Sequence, residues 1–156
     1  MRKNVGSILI ETKTENDSNV AHLLNGLAFK KDINVSLFTP DFSIIMNQPK
    51  FFTILPLHEA KFYFGSLFIW DLIMLDLITS PPVFPNLEKI LFYQNADLPW
   101  MRNKNVPYST WNRFFNNPRV QIFTDNMLAK DIINNTWNSN CKFLHQINPD
   151  TLYEIL

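Results

Sequence analysis

The chain has 156 residues, enough for one domain that closes a hydrophobic core. With 46% hydrophobic and 18% charged residues it is globular rather than disordered. The 14 basic and 14 acidic residues cancel, so there is no electrostatic footprint for nucleic acid or an anionic membrane, only small basic patches at Lys30-Lys31 and Arg102/Lys104.

The opening "MRKNVGSILIETKTEND" has a short apolar run between charges and makes a poor signal peptide. Within it "VGSILI", Val5 to Ile10, reads as a strand buried on both faces of a parallel sheet. "NDSNVAHLLNGLAFKKD" follows, with Asp17 or Ser18 as N-cap and Val20, Leu23, Leu24, Leu27 and Ala28 at amphipathic-helix spacing. Lys30-Lys31 suits the negative end of that helix dipole. "INVSLFTPD" is a second strand, stopped by Pro40, which completes a β-α-β unit. Its first turn, "ETKTENDS", lacks the glycines of GxGxxG and offers a dinucleotide pyrophosphate no cradle.

"FFTILPL" and "KFYFG" are strand candidates separated by the turn-like "HEA", and "WDLIMLDLITS" has the look of a helix ending before Pro81-Pro82. The apolar stretch from Phe62 to Ile78 is interrupted by Asp71 and Asp76. A central Asp costs about 3 kcal/mol in a membrane, so the segment is read as core. "EKILFY" is the next strand, and it runs into the polar "QNADLPW". The polar, aromatic "MRNKNVPYSTWNRFFNNP" has a turn or two of helix starting near Ser109 or Thr110. Then come strand "RVQIF", capped helix "TDNMLAKDIINNTW", strand "CKFLH" and closing helix "NPDTLYEIL".

Strands alternating with helices imply a Rossmann-like α/β domain spanning 1-156, a doubly wound, mainly parallel sheet with helices on both faces. In such sheets ligands bind beyond the carboxyl ends of the strands. The residues expected there are Glu11, Gly65, Ser66, Gln94, Asn95 and Trp100, with Thr124-Asp125 at a helix start.

The C-terminal stretch "RVQIFTDNMLAKDIINNTWNSNCKFLHQINPDTLYEIL" resembles the end of the N-terminal domain of GT-B-fold glycosyltransferases, where a strand, capped helix, short strand and final helix lead to the second domain. "KILFYQNADLPW" is similar to that family's preceding strand and cleft-facing loop, above all in phage-encoded members, the T-even phage DNA glucosyltransferase among them. The likeness covers roughly Lys89 to Leu156, while Val5 to Thr39 matches only as a generic Rossmann-like half. It implies that Asp97, aligned with a one-residue gap at Ala96, is the general base that deprotonates an acceptor hydroxyl. The other reading of Asp97 is a turn residue bonded to nearby backbone N–H groups. The resemblance further implies a UDP-sugar donor and a sugar or modified-nucleoside acceptor. Because that family holds the donor mostly in its C-terminal domain, the expectation is a half that turns over nothing alone and relies on a second domain, a partner protein or a homo-oligomer.

Other constellations point elsewhere. His22 sits on the first helix, His58-Glu59 has no HExxH partner, and His145 stands apart, so a metal site would need distant residues. Cys141, the only cysteine, allows no intrachain disulfide, favours a reducing, cytoplasmic setting (host cytoplasm for a phage-encoded chain) and reads as inert core. Ser66 in "FGSLF" lacks a GxSxG elbow. Trp111, Phe114 and Phe115 are spaced to dock a helix on its sheet, whereas Trp100, set in a loop by Pro99, is the better binding candidate. Three readings stand: a glycosyltransferase-like acceptor domain, a non-catalytic module for a protein partner or homodimer, and a small nucleotide or sugar-phosphate binder using the helix start at Thr124-Asp125. An exposed Trp100/Tyr108/Trp111 surface would mark the second; Asp97, Glu11 and Ser66 in one pocket would mark the first.

Overall fold

The computed structural model describes residues 2–10, 15–40, 49–70, 85–95, 98 and 105–156. Among them the sheet has seven strands: β1 (Lys3–Ile8), β2 (Ile33–Thr39), β3 (Thr53–Pro56), β4 (Gly65–Ile69), β5 (Leu87–Tyr93), β6 (Val120–Thr124) and β7 (Lys142–Phe143). Their order is β3-β2-β1-β4-β5-β6-β7, and every neighbouring pair is parallel. From β1 the chain steps one way to β2 and β3, then crosses to β4 on the other side. This reversal is the switch point at which open α/β sheets hold ligands.

The strands form because their apolar runs can be buried on both faces. Leu91 of β5 points into one hydrophobic cluster while its neighbours Ile90 and Phe92 point into another. The first cluster is covered by α1 (Glu15–Ala28) and α4 (Pro149–Glu154), which supply Leu24, Leu27 and Leu152. The second is covered by α2 (Tyr108–Phe115), α3 (Met127–Trp137) and the 3-10 turn Leu57–Phe62. Helices therefore flank both faces, and the doubly wound Rossmann-like architecture expected from the sequence is present.

Local contacts fix how these layers approach. A side chain at Gly26 would meet Pro149 Cγ at 2.2 Å, so only glycine lets α1 lie this close to the start of α4. Lys30 forms an ion pair with Asp150 just beyond the end of α1. It thus bridges two helices rather than only answering its own helix dipole. Buried Asn25 clamps the chain entering β3: its Nδ2 donates to Pro49 O and its Oδ1 accepts from Phe51 N, both at 2.8 Å.

Several boundaries differ from the expected ones. Helix α1 begins at Glu15, so positions 17 and 18 lie in its first turn rather than at the cap. "KFYFG" is not a strand. Residues Leu57–Phe62 coil as a 3-10 turn with Ala60 buried beneath, and β4 starts only at Gly65. There the backbone has φ +132°, and a Cβ would strike Asn4 O at 2.3 Å. Only glycine tolerates both, and the β4–β5 register shifts at this point. α3 is capped by Asn126, whose side chain accepts from Ala129 N, and not by Thr124 or Asp125. The helix expected over "WDLIMLDLITS" lies beyond Trp70, outside the described residues.

Candidate functional site

Three consecutive strands end side by side at the carboxyl edge. β4 is followed by Trp70, β5 ends in Tyr93 with Asn95 just after, and β6 is followed by Asp125. These four residues line a cleft of about 580 Å³, walled by Asn19, Val20, His22 and Leu23 of α1 and by Ile147 and Pro149 at the start of α4. The volume suits a ligand of one or two rings.

The floor of the cleft is an outgrowth of the core. Phe68 of β4 and Trp70 just beyond it are two residues apart and project to one face, where their rings stack at 5.5 Å with planes 17° apart. Tyr93 lies 5.8 Å from Trp70 and 5.6 Å from Phe123, so four aromatic rings run from the buried cluster to the surface. Trp70 is held from below: its Nε1–H donates to Oγ of buried Ser7 in β1 at 2.7 Å. With its polar edge turned inward, the indole offers the cleft apolar surface.

The rim is polar. The Tyr93 hydroxyl donates to Asp125 Oδ1 at 2.8 Å. Burial, and next the hydrogen bond and negative charge of Asp125, push the Tyr93 phenol well above its ordinary value of 10.0, so it remains a donor at neutral pH. Asn95 is exposed, and with Asn19, His22 and Asp125 it supplies donors and acceptors around the aromatic floor. Among the described residues no group of three or more His, Cys, Asp or Glu side chains gathers as a metal site would need.

The expected site residues fall in four groups. Asn95 lines the cleft, as its place after β5 suggested. Gln94 follows the same strand but is only 1% exposed; its N–H continues the ladder to Phe123 O at 2.9 Å, and its Nε2 donates to Asn95 O at 3.0 Å. It shapes the loop from inside instead of facing a ligand. Gly65 and Ser66 stand at the amino end of β4, the edge opposite the cleft, because the 3-10 turn displaces the strand downstream. Ser66 therefore converges with no pocket residue here. Glu11, Asp97 and Trp100 lie outside the described residues.

The aromatic group after the β5 loop divides as its spacing implied. Trp111, Phe114 and Phe115 are buried under the sheet, so Trp111 is no part of an exposed surface, while Tyr108 is exposed and leans on Trp137 at 4.8 Å. Cys141 is buried, and burial pushes its thiol up to about 12, which keeps it inert. His22 is exposed on α1 and borders the cleft.

Asp125 was expected at this edge with Thr124, but Trp70 and Tyr93 were missed. The available signal for them was positional: each is the last residue of its apolar run, where an amphipathic aromatic faces the carboxyl edge.

Fold and cleft together define a Rossmann-like α/β domain with an aromatic-floored, polar-rimmed cleft beside its switch point. No protein-family model matches the chain, and comparison with curated proteins and with solved structures yields no match. No helix among the described residues is long and apolar enough to cross a membrane.

Proposed function

We propose that the chain is a glycosyltransferase-like domain that holds the acceptor side of a sugar-transfer cleft, akin to the N-terminal half of phage-type GT-B enzymes. The observation that carries this reading is the carboxyl-edge cleft itself: an indole face fixed by Ser7, flanked by Tyr93, Asn95 and Asp125. An aromatic plane edged with hydrogen-bonding groups is what a sugar or nucleoside ring binds to, stacking its apolar face while its hydroxyls meet the rim.

In the full reaction, the acceptor hydroxyl oxygen bonds to the anomeric carbon of a UDP-sugar as the bond to the diphosphate breaks. UDP departs, and the hydroxyl proton passes to a carboxylate. Asp97, two residues along the chain from cleft-lining Asn95, is the proposed acceptor of that proton. A second domain or a partner would bind the donor.

The test is ligand-observed NMR on the purified chain with simple glycosides and nucleosides, alongside the indole N–H resonances of the protein. Saturation transfer accompanied by movement of the indole signal that Trp70→Phe removes supports the reading. Absence of transfer from every ligand, with the protein folded, rejects it.

A second reading, a module that binds protein, has one observation in its favour. Phe29 and Phe51 are 68% and 54% exposed and pack against each other at 4.6 Å, away from the cleft lining. A concentration-dependent sedimentation coefficient that Phe29→Ser abolishes would favour this module as a homodimer.

A further inference from the structure

The core sets how the stacking surface of the cleft is presented. Fully buried Phe68 covers one face of the Trp70 indole, with planes 17° apart, and Phe123 meets the indole edge-on at 86°. Ser7 takes the Nε1 edge. Trp70 is partly exposed, so a ring entering the cleft meets its other face. A flat ring there would extend the parallel Phe68–Trp70 stack by one layer. A base covers an indole with its whole π face, whereas a puckered sugar ring offers only the C–H groups on one side.

Asp125 lines the same cleft. Because Asn126 takes the N-cap of α3, the Asp125 carboxylate turns toward β5, where Tyr93 O–H holds Oδ1 at 2.8 Å, and the Tyr93 ring lies 5.8 Å from Trp70. The acid is thus tied through one tyrosine to the stacking plane. An ionised carboxylate only accepts, and it has about four lone-pair sites, of which Tyr93 uses one. It pairs best with N–H donors that lie in the plane of the stacked ring, and two such donors side by side give a charge-assisted, two-point contact. Guanine has that edge, in N1–H and its 2-amino group.

We propose that the cleft takes a guanine nucleoside, its base stacked on Trp70 and its N1–H and 2-amino edge read by Asp125, which Tyr93 positions. This rests on the acceptor-cleft reading above and narrows it. Guanine carries no hydroxyl, so the hydroxyl that accepts the transferred sugar belongs to the pentose, on the far side of the base from Asp125.

The experiment titrates the folded chain with guanosine, inosine, uridine and methyl β-glucoside while following the Trp70 indole signal. Inosine keeps the bicyclic ring and N1–H but lacks the 2-amino group, and uridine flanks its one ring N–H with two carbonyl oxygens. Wild type should bind guanosine about tenfold more tightly than inosine, and uridine more weakly than either. Asp125→Asn should bring guanosine and inosine to within about threefold, because an amide presents one acceptor where the carboxylate presents two. Tyr93→Phe keeps the ring beside Trp70, so it should lower the guanosine-to-inosine ratio while inosine affinity stays within about twofold of wild type.

Equal binding of guanosine and inosine to wild type overturns the proposal, as does an unchanged ratio in Asp125→Asn. Binding of the glucoside alone, with movement of the Trp70 indole signal, also overturns it and leaves the acceptor cleft standing. If none of the probes binds a folded sample, the cleft reading and this selectivity fall together.

Discussion

Ser7→Ala tests whether the cleft floor is latched to the sheet. Ser7 is fully buried in β1, and its Oγ accepts the Trp70 indole N–H at 2.7 Å across 63 positions of sequence. The substitution removes one oxygen and almost no volume, so it isolates that bond and leaves the indole N–H without its acceptor. A net hydrogen bond is worth about 1 kcal/mol, and an orphaned buried donor costs about 1–3 kcal/mol. Trp70 is only partly buried, which lets water reach the N–H and sets the expectation at about 1–2 kcal/mol. For a chain of this size, Tm should drop by roughly 4 °C.

The decisive form is a double-mutant cycle by urea denaturation with Trp70→Phe, which keeps an aromatic ring but no N–H. In that background Ser7→Ala should cost about 1 kcal/mol less, because the serine hydroxyl has already lost its partner. The Trp70 indole resonance should also shift in Ser7→Ala alone. Additivity of the two changes to within about 0.5 kcal/mol would show that the bond does not hold the floor, and a pre-formed stacking surface could not be argued from it.

Gly65→Ala should destabilise by about 3 kcal/mol, because φ +132° and the 2.3 Å approach to Asn4 O exclude a Cβ; calorimetry showing a Tm within 2 °C of wild type would refute the bulge argument. Asn126→Ala should cost about 1 kcal/mol by removing the bond to Ala129 N, and Asn126→Ser should restore most of it in the same denaturation assay. The Cys141 thiol has a folded value raised from 9.0 to about 12, so above pH 9 the unfolded chain releases a proton that the native chain keeps. Stability therefore falls as pH rises from 9 toward 12, by about 1.4 kcal/mol at pH 10 from this group. Cys141→Ala should flatten that part of the profile, and an unchanged slope would place the alkaline loss elsewhere.

The fold was legible because strands buried on both faces announce themselves as apolar runs. "INVSLFT", "EKILFY" and "RVQIF" all became strands. "KFYFG" misled because a short aromatic run reads alike in a strand and in a packed turn. Ala60 and Tyr63 are drawn into the core by the turn, while Phe62 and Phe64 stay exposed. Gly65 carried the better signal, since an isolated glycine at a strand margin marks a bulge. At the site, Asn95 could be placed because it follows its strand directly. The Ser7–Trp70 and Tyr93–Asp125 pairs could not, for each joins strands that only the sheet order makes neighbours. The likeness to a known loop also drew attention to Gln94, yet its side chain folds inward.

The two ends of the sheet are built differently, and this bears on where a ligand belongs. At the amino edge of β6 a second hollow of about 650 Å³ is lined by Asn116, Asn117, Asn138 and Asn140, with Asn116 Nδ2 already donating to Trp137 O. That bond ties the end of α2 to the end of α3, which is work for the fold. At the carboxyl edge the chain instead spends Phe68, Trp70, Tyr93 and Phe123 on a continuous aromatic path from core to solvent. Large apolar rings brought to the surface carry an exposure cost unless something covers them. Phe68 and Phe123 stay fully buried beneath, and anchoring the partly exposed Trp70 and Tyr93 by Ser7 and Asp125 keeps their rings fixed at the cleft. A ligand arriving there would meet a surface already ordered, so little of its binding energy is lost to fixing side chains. That asymmetry is why the proposed cleft is set at the β4–β6 carboxyl edge rather than at the amino edge.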